Sequence, residues 1–245
     1  MNPTPEPPRS WTWPHYRLVQ CTLPIIIRMH GGWRVVGREN IPPQGGAVIA
    51  ANHLSHLDPP TVGSALPRRT YYFAKSELFS NPVFGFMIRK CYAFPVRRGA
   101  ADTTALKHAI KLLKAGELLT MFPEGTRSRT GELGEFDLGA ALAASRGGVP
   151  IIPCALTGTN DIFPMGARRL HRGRVAVSFG AAIDSHQFGP KPRKDDLQSI
   201  TDQIEQSIRA MKAEQQAFIG GDRPADGGEA QTTEEQPSKE VEENA

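Results

Sequence analysis

From residue 47 onward, short and almost uninterrupted apolar runs alternate with stretches of helical periodicity. The runs "AVIAA" (47–51), "TYYFA" (70–74), "CYAFPV" (91–96), "ELLTMF" (117–122), "VPIIPCAL" (149–156) and "RVAVSFG" (174–180) predict strands. Their continuous apolarity places most of them in a sheet covered on both faces. Between them, "DTTALKHAIKLLKAG" sets Leu106, Ala109, Ile110 and Leu113 on one helical face and Lys107, Lys111 and Lys114 elsewhere. Asp102 is its expected cap and Gly116 its stop. "FDLGAALAASRGG" predicts a second helix. A long last one spans about residues 195–218, with Leu197, Ile200, Ile204, Ile208 and Met211 at three- and four-residue spacing. Strand–helix alternation without an internal repeat predicts a single α/β domain, a mostly parallel or mixed central sheet covered by helices.

The ends depart from this pattern. Residues 1–10 are too proline-rich to enter a core and read as a loose arm. Residues 11–32 hold an uncharged stretch, Leu18 to Ile27, between Arg17 and Arg28. Ten residues are too few for a spanning helix, which takes roughly 20. With Trp11, Trp13 and Tyr16 beside arginines, the segment fits an amphipathic helix in a headgroup layer, and equally well a helix folded onto the domain's own core. Residues 33–220 form the expected domain, and 221–245 a disordered acidic tail.

Charge separates tail from body. The tail carries eight acids against Arg223 and Lys239, a net −6 within a chain total of +4, so the remaining 220 residues carry +10. Such a body favours anionic partners: phosphorylated substrates, membrane surfaces or nucleic acid. The three cysteines, Cys21, Cys91 and Cys154, lie far apart with no metal-ligand spacing. They suggest a reducing compartment and inert, buried thiols.

The densest chemistry follows the first strand, in "NHLSHLDPP" (52–60). His53, His56 and Asp58 are possible zinc ligands, but the other histidines form no supporting cluster. Ser55 lacks the glycines that flank a serine on a strained nucleophile elbow. What remains is a base, His53, oriented by a carboxylate, Asp58. Positions five apart on a regular helix diverge by roughly 140°, so the pair meets only if the chain turns between them. "DPP" gives a reason to turn, but also makes Asp58 a helix cap followed by Pro59. On residue chemistry alone, cap and histidine partner stay equally open and can coexist.

Two further loops end apolar strands. "FPEGTRS" (122–128) offers glycine, threonine and arginine to an anion, and "FPVRRG" (94–99) adds Arg97 and Arg98. With His53 also at a strand end, these residues predict a cleft at the carboxyl edge of the sheet.

In this order, "NHLSHLD", "FPVRRG", "FPEGTRS" and "VPIIPCAL" resemble the four motifs of the glycerolipid acyltransferase family that includes 1-acylglycerol-3-phosphate O-acyltransferase, over roughly residues 33–185. "YYFAKSEL", with Lys75 and Glu77, is similar to the family segment between the first two motifs. Arg97 stands where many members carry aspartate, and the amino-terminal segment is shorter than the transmembrane helices of some relatives.

The resemblance implies a glycerol-3-phosphate acyltransferase-like fold and transfer of an acyl chain from acyl-CoA or acyl carrier protein to lysophosphatidate, giving phosphatidic acid. His53 is then the general base and Asp58 its orienting partner. Arg98 and Arg127, with Lys75, clamp the acceptor phosphate. Glu124, Gly125 and Thr126 line the acceptor site and place backbone near the developing oxyanion. "VPIIPCA" lies beside the acyl chain or is a plain core strand. No cofactor or metal is implied beyond the acyl donor.

The expected location is the cytoplasmic face of a membrane, peripherally. The competing readings are an acyltransferase for glycerol-3-phosphate or another lysophospholipid, and a non-catalytic lipid-surface binding protein. Nucleic acid is disfavoured because the basic residues accompany no recognition helix or aromatic sheet motif.

Overall fold

The computed structural model describes residues 14–96, 102–185, 187–189 and 191–220, the side chain of His15 excepted. Seven strands form one mixed sheet: β1 (Gly31–Val36), β2 (Ala47–Ala51), β3 (Thr70–Lys75), β4 (Ala93–Val96), β5 (Leu118–Met121), β6 (Ile151–Thr157) and β7 (Gly173–Phe179). Their spatial order is β1-β7-β6-β2-β5-β3-β4. The five strands β6, β2, β5, β3 and β4 are parallel. β7 runs against β6, and β1 is parallel to β7. The predicted α/β class and the six predicted strands are present.

Helices close both faces, as continuous apolarity requires. Alternate strand residues point opposite ways. Val48, Ala50, Leu119 and Ile151 join one buried cluster, with residues of α4 (Thr103–Lys114), α5 (Gly139–Gly147) and α7 (Lys194–Gly220). Their neighbours Ala47, Ile49, Leu118 and Ile152 join the other, with Ile27 of α1 (Pro14–His30), Val62 and Ala65 of α2 (Asp58–Ala65) and Ile162 of α6 (Thr159–Ile162). The run "VPIIPCAL" therefore lies in the interior as β6, buried from Ile151 to Leu156.

Several local expectations shift. β1 escapes the apolar-run criterion because it opens on two glycines and is partly exposed at the sheet's edge. α3 (Pro82–Lys90), capped by Asn81 through the amides of Val83 and Phe84, connects β3 to β4. In α4 the buried positions are Ala105, Ala109, Leu112 and Leu113, with Leu106 partly buried. The inner stripe is thus rotated towards the alanines, which let α4 lie close to the sheet. α5 begins only at Gly139, after Asp137 accepts the Gly139 amide at 2.7 Å. α1 does fold onto the core through Tyr16 and Ile27, yet leaves Leu18, Ile25, Ile26 and Met29 exposed. Of the cysteines only Cys154 is fully buried; Cys91 is half-buried, and Cys21, expected inside, faces solvent on α1. Trp11, Trp13 and the two terminal segments lie outside the described residues.

α4 ends where expected: the Asp102 carboxylate accepts the Ala105 amide at 2.9 Å, and Gly116 follows with φ 86°. Asp102→Ala removes this cap and should lower unfolding free energy by about 1 kcal/mol. Equilibrium denaturant unfolding checks it: a lower midpoint with unchanged slope is expected, and an unmoved midpoint contradicts the cap's contribution.

Candidate active site

β2, β5, β3 and β4 point their carboxyl ends to one edge of the sheet, and their register sets what meets there. Ala50 is level with Met121, Tyr72 with Thr120, and Lys75 with Val96. Continuing each strand brings His53, Glu124, Lys75 and the end of β4 to nearly one height. Neighbouring strands lie about 4.8 Å apart, so β3, two places from β2, presents Lys75 about 10 Å from the strand that carries His53.

Asn52 is the hinge by which the chain leaves β2. Its buried side-chain amide donates to the Leu156 carbonyl at 3.0 Å and accepts the Leu156 amide at 2.7 Å. It thereby continues the ladder to β6 in place of backbone and frees the main chain to turn. An unpaired backbone group at such depth would be costly.

Within that turn the Asp58 carboxylate, fully buried, gathers four donors. Oδ2 accepts the ring Nδ1–H of His53 at 2.7 Å and the amides of Leu54 at 2.5 Å and Ser55 at 2.7 Å. Oδ1 accepts the Thr159 hydroxyl at 2.5 Å. The helix that follows begins at Asp58 itself, with Leu57 at the cap position and no side-chain cap bond. The alternative left open by the residues is thus resolved in geometry: the carboxylate turns back to the histidine instead of capping its own helix.

His53 is 9% exposed. Its ring stacks on Phe122, centroids 4.3 Å apart and planes 24° from parallel. With Nδ1 engaged by Asp58, Nε2 is the ring nitrogen left outside that bond. Ser55, by contrast, donates its hydroxyl to the Phe163 carbonyl at 2.8 Å. It serves as a structural donor, with its proton committed to that backbone carbonyl.

The "FPEGTRS" loop wraps the same histidine. The His53 amide donates to Glu124 Oε1 at 2.8 Å, and the His53 carbonyl accepts the Ser128 amide at 2.8 Å. Glu124 Oε2 accepts the Gly134 amide at 3.0 Å, so one carboxylate staples the loop to His53. Burial pushes the Glu124 carboxyl above the usual glutamate range, against the opposing pull of these amides, of the adjacent His53 and of the Lys212 ammonium. The Gly125 amide closes a turn onto the Phe122 carbonyl at 3.0 Å, with Pro123 second in the turn. Gly125 sits at φ 64°, which favours glycine. Between the two anchors Thr126 is exposed and Arg127 half-buried.

Arg127 is close enough to act on His56. Partial desolvation, then the guanidinium of Arg127 and the neighbouring His53 ring, pull the His56 pKa below its usual value despite the nearby Asp58. Lys75 forms an exposed ion pair with Glu77 at 3.3 Å. Such a pair contributes little and can exchange for another anion. Arg97 and Arg98 lie outside the described residues. Among the described residues no group of three or more His, Cys, Asp or Glu side chains is placed to hold a metal ion.

Two residues of the site carried no signal in the sequence. Thr159 reaches Asp58 from 101 positions away because Gly158 takes φ 85°, where an added Cβ would meet the Arg174 carbonyl oxygen. Lys212 of α7 donates to the Gly131 carbonyl at 2.7 Å, and burial lowers its pKa. It holds the far side of the loop that Glu124 staples. A hydroxyl just past a strand and a lysine on a long amphipathic helix look ordinary until the fold brings them to one edge.

The chain is similar to known proteins over most of its length. The sequence profile of the family described as Acyltransferase matches residues 32–157, just over half of the chain. The 1-acyl-sn-glycerol-3-phosphate acyltransferase of Bacillus subtilis (strain 168) is 33% identical over 198 residues, covering 80% of this chain and 96% of that protein. That of Escherichia coli (strain K12) is 32% identical over 174 residues, covering 69% and 70%. The crystal structure of the 1-acyl-sn-glycerophosphate (LPA) acyltransferase PlsC from Thermotoga maritima superposes with a TM-score of 0.67 at 26% identity, over 81% of this chain and 80% of that one. The buried His–Asp pair at the carboxyl edge of the sheet lies within the matched region, and the chain belongs to the acyltransferase family.

Proposed function

We propose that the chain transfers an acyl group from a thioester, acyl-CoA or acyl carrier protein, to the free hydroxyl of 1-acylglycerol-3-phosphate, giving phosphatidic acid. The observation that carries this reading is the 2.7 Å contact between His53 Nδ1 and a fully buried Asp58. Binding a lipid surface does not require a histidine held in one tautomer, whereas general-base chemistry does.

His53 Nε2 accepts the hydroxyl proton as the acceptor oxygen attacks the thioester carbonyl. Asp58 stabilises the imidazolium formed. The tetrahedral intermediate collapses with cleavage of its carbon–sulfur bond, and the imidazolium returns the proton to the departing thiolate. Backbone around Gly125 and Thr126 lies beside His53 and shapes the site where the oxyanion develops. Arg127, with Lys75 and Arg98, holds the acceptor phosphate. The thioester is already activated and Ser55 directs its proton to a backbone carbonyl, so transfer is direct, through a ternary complex.

The chain works at a membrane surface, on the cytoplasmic face, where its acceptor resides. Among the described residues no helix is long and apolar enough to cross a membrane, and α1 presents Leu18, Ile25 and Met29 outward. This is the pattern of an interfacial helix.

His53→Ala should lower kcat by about two to four orders of magnitude while circular dichroism stays native; near-normal turnover removes the mechanism. Thr159→Val deletes one donor to Asp58 and should reduce kcat by about tenfold, the effect of one net hydrogen bond of about 1.4 kcal/mol. Thr159→Ser should restore most of it with KM for the acceptor unchanged, and equal activity in wild type and the valine variant would show that Asp58 needs no such support. Arg127→Ala should raise acceptor KM by about tenfold or more with a smaller effect on donor KM; an unchanged acceptor KM contradicts its phosphate role.

A further inference from the structure

Most of the exposed large apolar side chains in the described residues fall on two elements, α1 and the segment from Leu78 to Met87. The second is the less expected. A short 3-10 turn, Ser76–Phe79, leaves β3 directly after Lys75, and α3 then returns the chain to the start of the parallel strand β4. The turn and the first turn of α3 therefore stand at the carboxyl edge of the sheet, beside the cleft. Gly85 is the buried position of α3, and a Cβ there would come within 3.0 Å of the Phe79 carbonyl oxygen. With Gly85 packed on the Phe79 backbone of the preceding turn, Val83, Phe86, Met87 and Lys90, spaced i, i+3, i+4 and i+7, share the outer stripe. Val83 is 79% exposed, Phe86 63% and Met87 52%.

Cations fringe this apolar stripe. Lys90 Nζ lies 5.3 Å from the Phe86 ring centroid, and the Arg89 guanidinium carbon 4.9 Å from that of Phe79. Aromatic and aliphatic groups outermost, with basic side chains along their flank, match a surface that is apolar below an anionic headgroup layer. The +10 body has the sign to approach it. A second copy of this chain fits less well, because a two-fold contact through the stripe would bring Arg89 and Lys90 against themselves.

We propose that the outer face of α3, with the turn before it, docks on an anionic phospholipid bilayer and sets the cleft's phosphate side against the lipid from which the acceptor enters. The proposal rests on the lysophosphatidate reading of the site. The face becomes a lip: it holds the headgroup layer within reach of Lys75 and Arg127, so that an acceptor need not leave the bilayer fully to place its hydroxyl at His53.

The test uses the full chain and a Val83→Ser/Phe86→Ser/Met87→Ser variant, its fold checked by near-ultraviolet circular dichroism. In sedimentation with vesicles of phosphatidylglycerol and phosphatidylcholine, the triple variant should bind about tenfold or more weakly than wild type. Arg89→Gln/Lys90→Gln should lose the preference for these vesicles over pure phosphatidylcholine. Turnover of long-chain lysophosphatidate in vesicles should fall in parallel for the triple variant, while turnover of a short-chain, monomeric lysophosphatidate stays within about twofold, because the cleft is untouched. Vesicle binding equal to wild type overturns the docking face. So does a wild-type dimer that the triple variant converts to monomer with vesicle binding unchanged, which assigns the face to a second copy. A wild type that turns over neither acceptor overturns the lysophosphatidate reading and with it the lip, whereas the vesicle arm still reports on the surface itself.

Discussion

A carboxylate with no exposure to water and four donors around it is the constraint from which the rest of the site follows. Burying an unpaired aspartate would be prohibitive. Here Oδ2 takes the imidazole and two successive amides, and Oδ1 takes a hydroxyl from a distant helix. The charge is satisfied only if residues 53–58 turn tightly and α6 sits where it does. Turn and ring orientation are therefore one structure: the bonds that make the buried charge tolerable also fix which nitrogen of His53 points outward. Glu124 and Ser128 add restraint from the other side by binding the backbone of the same histidine.

The sheet supplies the frame at the scale above. Parallel strands β2, β5, β3 and β4 deliver a histidine, a glycine-bearing loop and a lysine to one edge without any of those residues being near in sequence. Lys75 on β3 then starts about two strand spacings, roughly 10 Å, from the strand that leads to His53. α7, which closes the opposite face, reaches the same edge through Lys212, so the loop over His53 is held from both layers.

Much of this was legible in the residues, for reasons that differ by element. β2, β5 and β6 are recognisable because burial on both faces makes nearly every position apolar, the buried Thr120 pairing its hydroxyl with that of Thr70. α4 shows its ends, since Asp102 and Gly116 are local signals, but its inner stripe is displaced because small residues allow close approach that periodicity alone does not anticipate. β1 and α3 escape because one is a half-exposed edge and the other is a helix whose apolar side faces outward, inverting the usual rule. In the site, "NHLSHLD" marks His53 and Asp58, whereas the role of Asn52 as a substitute strand peptide and the reach of Thr159 exist only once β6 lies beside β2. No spacing rule encodes a contact across 101 residues.

The central claim is that the buried carboxylate works through the imidazole. Asp58→Asn tests it most directly, because the side chain keeps its size but loses its charge and one of its acceptor atoms. Steady-state turnover of lysophosphatidate with an acyl thioester, measured on protein shown to be folded by near-ultraviolet circular dichroism, should fall by about three to four orders of magnitude, with acceptor KM changed little. Turnover within tenfold of wild type from a folded Asp58→Asn protein would contradict the account.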